Sequence, residues 1–386
     1  MSNEALERTF DALVASRCDA AVLSSIANVT YATDWEVPVP FGAGAELAWG
    51  SPTLLCHVRE RRTWLIVPDG MAAGAQETAK VDTVVSFATF DSFVPVDSRT
   101  SFVKAIRDSL GDAGFAGGSG TVAIEERSLP QVVANVLTSH LDGWELVDAD
   151  PAMQQARAIK TPREIELLRR AAAVSDVSHE TLSDLCREAG ATEFSMWAEI
   201  GMQINATAGF DVPLSGELIT GPRAAYVAYP NGPGERTTEP ADIVLMDLSG
   251  RVDGYWFDCT NTHVVGAKPT REQRRYLDAS RAACEAAMAA LKPGARACDA
   301  ASAAEAAFSQ YSLPMAHYAG HQIGVTVNEL PRLVPYDTTV IEPGMVFSVE
   351  PGAYEGKGGS IGARSEKMVL VTDAGPEILS QFEWGN

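Results

Sequence analysis

Residues 243–258 read Ile243-Val244-Leu245-Met246-Asp247-Leu248-Ser249-Gly250-Arg251-Val252-Asp253-Gly254-Tyr255-Trp256-Phe257-Asp258. Two apolar runs flank Ser249 to Gly254, whose composition favours a turn, so the pattern predicts two strands paired as a hairpin. Asp247 and Asp258 each end or interrupt an apolar strand. An ionised carboxylate is costly to bury unless it is paired or bound to metal. Two of them on neighbouring strands repel and raise one pKa unless a cation lies between them. On these residues alone, turn-edge aspartates in water are the plainer outcome and a cation site the sharper one.

Working outward, His317-Tyr318-Ala319-Gly320-His321-Gln322-Ile323-Gly324 places two imidazoles four apart. Val346-Phe347-Ser348-Val349-Glu350 ends an apolar strand on a carboxylate, and Arg364-Ser365-Glu366 leads into the apolar run Met368 to Val371. Singly these are a core histidine, a strand-end acid and a surface ion pair. Together with the hairpin they make four carboxylates and a histidine on strands or strand edges. Oxygen-rich ligation with one nitrogen suits two divalent ions that share carboxylates. Cys18, Cys56, Cys186, Cys259, Cys284 and Cys298 are dispersed with no C-x-x-C pair, which excludes a four-cysteine zinc site and points to reduced, buried thiols.

The chain has 386 residues, with 51 Asp or Glu against 30 Lys or Arg and a formal charge of −21. That length predicts two domains. So negative a charge repels phosphate backbones and anionic lipid, which argues against nucleic-acid and membrane partners. Met1-Ser2-Asn3-Glu4 has no basic segment before an apolar run, and no stretch reaches the ~20 apolar residues of a membrane span, so a cytoplasmic protein is expected.

The first part of the chain alternates helix and strand: helical spacing over 4–16, a strand at 19–24, paired strands at 53–58 and 63–67, and a helix over 103–110. The glycine-containing run 111–120 lacks a P-loop lysine and reads as a loop. Thr161-Pro162-Arg163-Glu164 is a capping box with proline at the first helical position, opening a helix that Gly190 stops. Thr192 opens a second helix to about residue 205, and Thr270-Arg271-Glu272-Gln273 a third that ends by Pro293-Gly294. Strand-like segments fall at 242–248, 255–265, 345–350 and 365–372. The expected fold class is α+β in two domains, a smaller α/β domain over 1–155 and a larger domain over 156–386.

In their order, Asp247, Asp258, His321, Glu350 and Glu366 resemble the dinuclear metal set of the pita-bread fold, the family of methionine aminopeptidase, aminopeptidase P, prolidase and the metal-free creatinase. The flanks carry the likeness: an eleven-residue step between the aspartates, G-H-x-I-G around His321, E-P-G-M-V-F-S-V-E-P-G ending at Gly352, and R-x-E leading into V-L-V-T-x-x-G at 369–375. Asp19 to Leu23 with Asn28 to Tyr31 looks like the start of the N-terminal domain of the creatinase/aminopeptidase P branch, and Ile159 to Ile165 like its domain junction. The resemblance implies a pita-bread C-terminal domain behind a creatinase-like N-terminal domain. It also implies two divalent ions (manganese, cobalt, zinc or iron) and cleavage of an amide or peptide C–N bond in a small substrate or short peptide by a metal-bridging hydroxide. By the same resemblance Glu350 is the general base, Glu366 bridges the ions, His317 contacts the substrate carbonyl, Arg364 orients a carboxylate and Thr260 bonds a ligand aspartate. A homodimer is implied too, with Trp35 in the segment 35–41 a candidate to contact ligand at the partner's site.

Two positions depart from the family's peptidases, which carry a histidine upstream of the first aspartate and another seven residues after the ligand histidine. Here those regions read Ala228-Tyr229-Pro230-Asn231-Gly232 and Val327-Asn328-Glu329-Leu330-Pro331. Asparagine donates a hydrogen bond but does not titrate near neutrality, so Asn231 and Asn328 enter as substrate-binding candidates. The family's D-x-T-R-T is here Asp258-Cys259-Thr260-Asn261-Thr262. Besides a Xaa-Pro-type peptidase, the alternatives are a creatinase- or ectoine-hydrolase-like amidohydrolase, a dimethylsulfoniopropionate-cleaving metalloenzyme, or a non-catalytic binding module. Creatinase and ectoine hydrolase have lost metal ligands, whereas this chain keeps all five.

Overall fold

Apolar runs too short for helices become strands in both halves of the chain. The computed structural model describes residues 3–115, 118–227 and 231–386, and the chain divides into two units, Met1–Arg157 and Ala158–Asn386.

The first unit is built on one six-stranded sheet: β1 (Ala20–Leu23), β2 (Thr53–His57), β3 (Arg62–Pro68), β4 (Thr83–Phe87), β5 (Gly120–Ile124) and β6 (Trp144–Asp148), in the order β4-β3-β2-β1-β5-β6. β2 and β3 pair antiparallel across the charged turn, as the sequence predicts, while β3–β4, β1–β5 and β5–β6 are parallel. Parallel strands need cover on both faces. On one face Trp64, Ile66 and Phe87 meet Phe102, Ile106, Val133 and Leu137 of the helices Ser98–Asp112 and Gln131–His140. On the other, Leu54, Cys56, Leu65 and Val67 are equally buried. The helix expected over 103–110 begins at Ser98 because Asp97 caps it, its Oδ1 accepting the Thr100 amide at 3.0 Å. Of the glycine run, 111–112 finish that helix and Gly120 begins β5; residues 116 and 117 lie outside the described residues.

The second unit carries β7 (Leu214–Thr220), β8 (Ile243–Val252), β9 (Tyr255–Val264), β10 (Gly320–Gln322), β11 (Glu329–Arg332), β12 (Val346–Val349), β13 (Gly352–Tyr354), β14 (Gly362–Arg364), β15 (Lys367–Thr372) and β16 (Gly375–Ile378). They form an antiparallel sheet β7-β8-β9, a five-stranded sheet β11-β10-β12-β15-β16 and the pair β13-β14. The predicted hairpin is β8–β9, but its turn is shorter than Ser249 to Gly254. Asp253 (φ 49°) and Gly254 (φ 87°) make the reversal alone, since a two-residue turn with both residues left-handed matches the twist of the strands. The ladder therefore runs on through Ser249–Val252.

Both capping boxes form: Thr161 with Glu164 starts the helix Pro162–Leu185, and Thr270 with Gln273 starts Arg271–Ala290. Glu193–Ala208 follows Thr192. A fourth helix, Ala297–Gln310, escapes the sequence reading because its buried face is mostly alanine and shows little apolar bulk. Those alanines, Ala300 and Ala304 among them, pack with Phe308, Cys284 and Ala287 against Phe347, Val349 and Val369. All six cysteines are free thiols, with Cys298 alone not fully buried. Among the described residues no helix is long and apolar enough to cross a membrane.

Two buried histidines of this unit bear on stability. Burial pushes His263 of β9 down to about 4 and His179 of the helix Pro162–Leu185 well below 6.5, with Lys367 and His263 adding to the latter. The unfolded chain takes up protons on these histidines below pH 6.5 that the folded chain refuses, so their contribution to stability falls as pH drops from 6.5 to about 4. Each histidine contributes up to about 1.4 kcal/mol per pH unit. In metal-free protein, His263→Gln should flatten this acid limb in urea unfolding at pH 7, 6, 5 and 4. A limb as steep as wild type contradicts the assignment.

Candidate metal centre

The side-chain alternation of the β7-β8-β9 sheet separates two chemistries. Asp247 stands opposite Thr260 and Glu217, and Ser249 opposite Asp258, so all five project from one face. Met246, Leu248, Phe257 and Cys259 project from the other and are fully buried. The aspartates interrupt apolar strands because each strand has one face in the core and one in the site.

Three further segments converge on the polar face. His321 lies in β10, paired with Ser348 of β12, and Glu350 follows the end of β12. Close approach of β10 to β12 depends on Gly320: its φ is +146°, and a Cβ there would lie 2.2 Å from the Ser348 carbonyl oxygen. Ser348 Oγ in turn donates to the Asp258 carbonyl at 3.0 Å. Glu366 is anchored by its amide, which donates to the Thr260 carbonyl at 3.0 Å.

His321 Nε2 is 3.2 Å from Glu350 Oε1 and 3.5 Å from Asp258 Oδ2. Its Nδ1 lies 2.9 Å from the Gln322 carbonyl, a contact that puts the proton on Nδ1 and leaves Nε2 as the ligand nitrogen. Ser249 Oγ bonds Asp258 Oδ1 at 2.8 Å. Thr260 Oγ lies 2.6 Å from Glu366 Oε2 and 3.1 Å from Asp247 Oδ1, and accepts Arg364 Nε at 3.0 Å. Arg364 Nη2 donates to both Asp247 Oδ2 (2.6 Å) and Glu217 Oε2 (2.8 Å), while Nη1 donates to the Tyr354 hydroxyl (3.2 Å). That hydroxyl sits 3.3 Å from His317 Nε2.

The protonation pattern follows from burial and like charge. Burial pushes Asp247 well above the carboxylate range, opposed by Arg364 and reinforced by Asp258 and Glu350. Burial and then repulsion from Asp258, Glu350 and Asp247 do the same to Glu366. Glu350, also buried, is instead held low by His321. Burial alone would lower His321, but Asp258 and Glu350 overcome it and lift it to about 10. A divalent cation fits this donor set. One ligand atom each from Asp258, His321 and Glu366 lie within 4.8 Å of one another, and Glu366 Oε1 is buried with no hydrogen-bond partner among the described residues.

Of the residues singled out from sequence, Asp247, Asp258, His321, Glu350 and Glu366 fall in this one network, with Arg364 bonded directly to Asp247 and Thr260 and His317 joined through the Tyr354 hydroxyl. Asn328 does not join it. Asn328 is exposed, its Oδ1 accepting Arg332 Nε at 3.0 Å. Asn231 Oδ1 accepts Arg223 Nη2 at 2.7 Å, and Ala228, Tyr229 and Pro230 lie outside the described residues. Trp35, in the first unit, is 7% exposed, leaving its ring little surface for a ligand; Phe41 of the same segment is 93% exposed. Sequence reasoning missed Glu217 and Tyr354. Glu217 gave the same signal as Asp247, an acid set among apolar strand residues.

Comparison with known proteins agrees with this geometry. Residues 166–373 match metallopeptidase family M24, and residues 6–159 match the creatinase/prolidase N-terminal domain. The Xaa-Pro dipeptidase of Pyrococcus furiosus is 31% identical over 327 residues, 83% of this chain and 84% of that protein. The Xaa-Pro dipeptidase of Pyrococcus horikoshii is 30% identical over 263 residues, 67% and 72% of the two chains. The crystal structure of the prolidase from Pyrococcus horikoshii OT3 superposes with a TM-score of 0.80 at 24% identity, covering 99% of each chain, a likeness of fold. The chain belongs to metallopeptidase family M24, with a creatinase/prolidase-type N-terminal domain ahead of a pita-bread domain, and is a metal-dependent hydrolase.

Proposed function

We propose that the protein is a dinuclear metallopeptidase that cleaves the C–N bond of dipeptides or short peptides of the Xaa-Pro type. The observation that carries this reading is the convergence of five ligand-type side chains from four separate segments on one polar face, three of them within 4.8 Å. Asp247, Asp258, His321, Glu350 and Glu366 would hold two divalent ions drawn from manganese, cobalt, zinc or iron. When bound, such ions lower the pKa of water and polarise a carbonyl, supplying a nucleophile at neutral pH.

The remaining work belongs to the chain's own groups. Glu350 takes up a proton and returns it to the leaving nitrogen. Thr260, Ser249 and Arg364 fix the carboxylates through the bonds described above. His317, kept neutral by burial with Arg364 adding to the effect, orients the reacting carbonyl together with Tyr354. Arg332 is the register partner of His321 and is exposed, so it offers a cation on the same face for a peptide carboxylate. The reading places the enzyme in the cytoplasm as a homodimer. Phe41 and Phe93 of the first unit are 93% and 95% exposed and are available for a second copy to cover.

Purified protein loaded with manganese, cobalt or zinc should cleave Gly-Pro-type dipeptides. Asp258→Ala and Glu366→Ala should each lose both bound metal and turnover. Full activity after exhaustive chelation, or no cleavage of any dipeptide or Xaa-Pro tripeptide, contradicts the proposal. Asn328→His restores a group that titrates near neutrality beside Arg332, and dipeptide kcat/KM should rise; an unchanged or lower value removes position 328 from the mechanism. Light scattering should give about twice the 41.1 kDa chain mass, and a monomer at micromolar concentration rules out the dimer.

A further inference from the structure

Glu217 is a fifth carboxylate at this centre that the proposed ligand set does not use. It lies in β7 directly opposite Asp247 and is 4% exposed. Its Oε2 accepts from the same Arg364 Nη2 that serves Asp247, at 2.8 Å and 2.6 Å respectively. Its Oε1 is buried with no hydrogen-bond partner among the described residues. One guanidinium thus stands between two carboxylates. Paired with Asp247 alone, Arg364 would neutralise it one to one, and a neutralised carboxylate draws a cation weakly. With Glu217 sharing the guanidinium, the trio keeps a net negative charge. A further buried acid is a liability in any site that no cation balances.

We infer that Glu217 is a positioning residue of the metal centre: it anchors Arg364 and offsets its charge, so that Asp247 keeps its full anionic pull on the metal. The inference rests on the metal site proposed above. It differs from a packing role in the sign of its effects. Loss of the Glu217 charge relieves repulsion in the metal-free protein, yet weakens the field acting on a cation in the loaded one.

The test uses full-length protein stripped by chelation. Manganese(II) is titrated calorimetrically into wild type, Glu217→Gln, Glu217→Met and Asp258→Ala, and the thermal melting of each metal-free form is recorded. Both Glu217 variants should bind manganese about 10- to 100-fold more weakly, while their metal-free Tm equals or exceeds that of wild type. Wild-type affinity in Glu217→Gln would overturn the inference. So would weaker binding accompanied by a lowered metal-free Tm in both variants, the pattern of a packing role. Wild-type protein that takes up no manganese, or Asp258→Ala that binds as wild type does, would overturn the metal-site reading and this inference with it.

Discussion

Five carboxylates gathered at one site, Asp247, Asp258, Glu217, Glu350 and Glu366, cannot all remain ionised without positive charge among them, and the rest of the catalytic unit is arranged around that constraint. Its effects differ by neighbour. Glu366 and Asp247 are driven upward by burial and repulsion, whereas Glu350 stays low because His321 lies against it. His321 is itself lifted to about 10 by two acids that outweigh its burial. Without metal the cluster is balanced by the Arg364 guanidinium and by the protons it holds; two divalent ions would replace those protons.

Position is set by strands and the residues that directly adjoin them: Asp247, Asp258 and His321 lie within strands, while Glu350 follows β12 and Glu366 precedes β15, which fits a site whose donors must be held closely. The β8–β9 register places Asp247 against Thr260 and Ser249 against Asp258, so each ligand aspartate has a hydroxyl beside it. Gly320 lets β10 and β12 approach, bringing His321 to Glu350. Behind the sheets, the alanine faces of Arg271–Ala290 and Ala297–Gln310 let the helices pack closely. Core and site are two faces of the same strands, and a one-residue slip in register would exchange them.

Much of this was legible in the sequence because its signals were local. An acid inside an apolar strand, the pairing of 243–248 with 255–258 as a hairpin and the capping boxes at Thr161 and Thr270 each state their own physics, and the ligand order with its flanks pointed to the fold. What escaped depends on distant partners. Ala297–Gln310 lacks apolar bulk and becomes readable only against Phe347 and Val369. Glu217 gains meaning through Arg364, 147 residues away. The turn at Ser249 to Gly254 was read too long because Ser249 and Gly250 favour turns as single residues, while the Asp253-Gly254 pair alone completes the reversal. Trp35 entered as a ligand candidate through the family resemblance and the make-up of segment 35–41, and its 7% exposure depends on packing that the chain's own pattern does not display.

The central claim is that the five convergent side chains hold two divalent ions. Anomalous diffraction at the manganese edge, from crystals grown with manganese(II), tests it most directly. The account predicts two anomalous peaks enclosed by Asp247, Asp258, His321, Glu350 and Glu366. A single peak, or none at these residues under saturating metal, would contradict it.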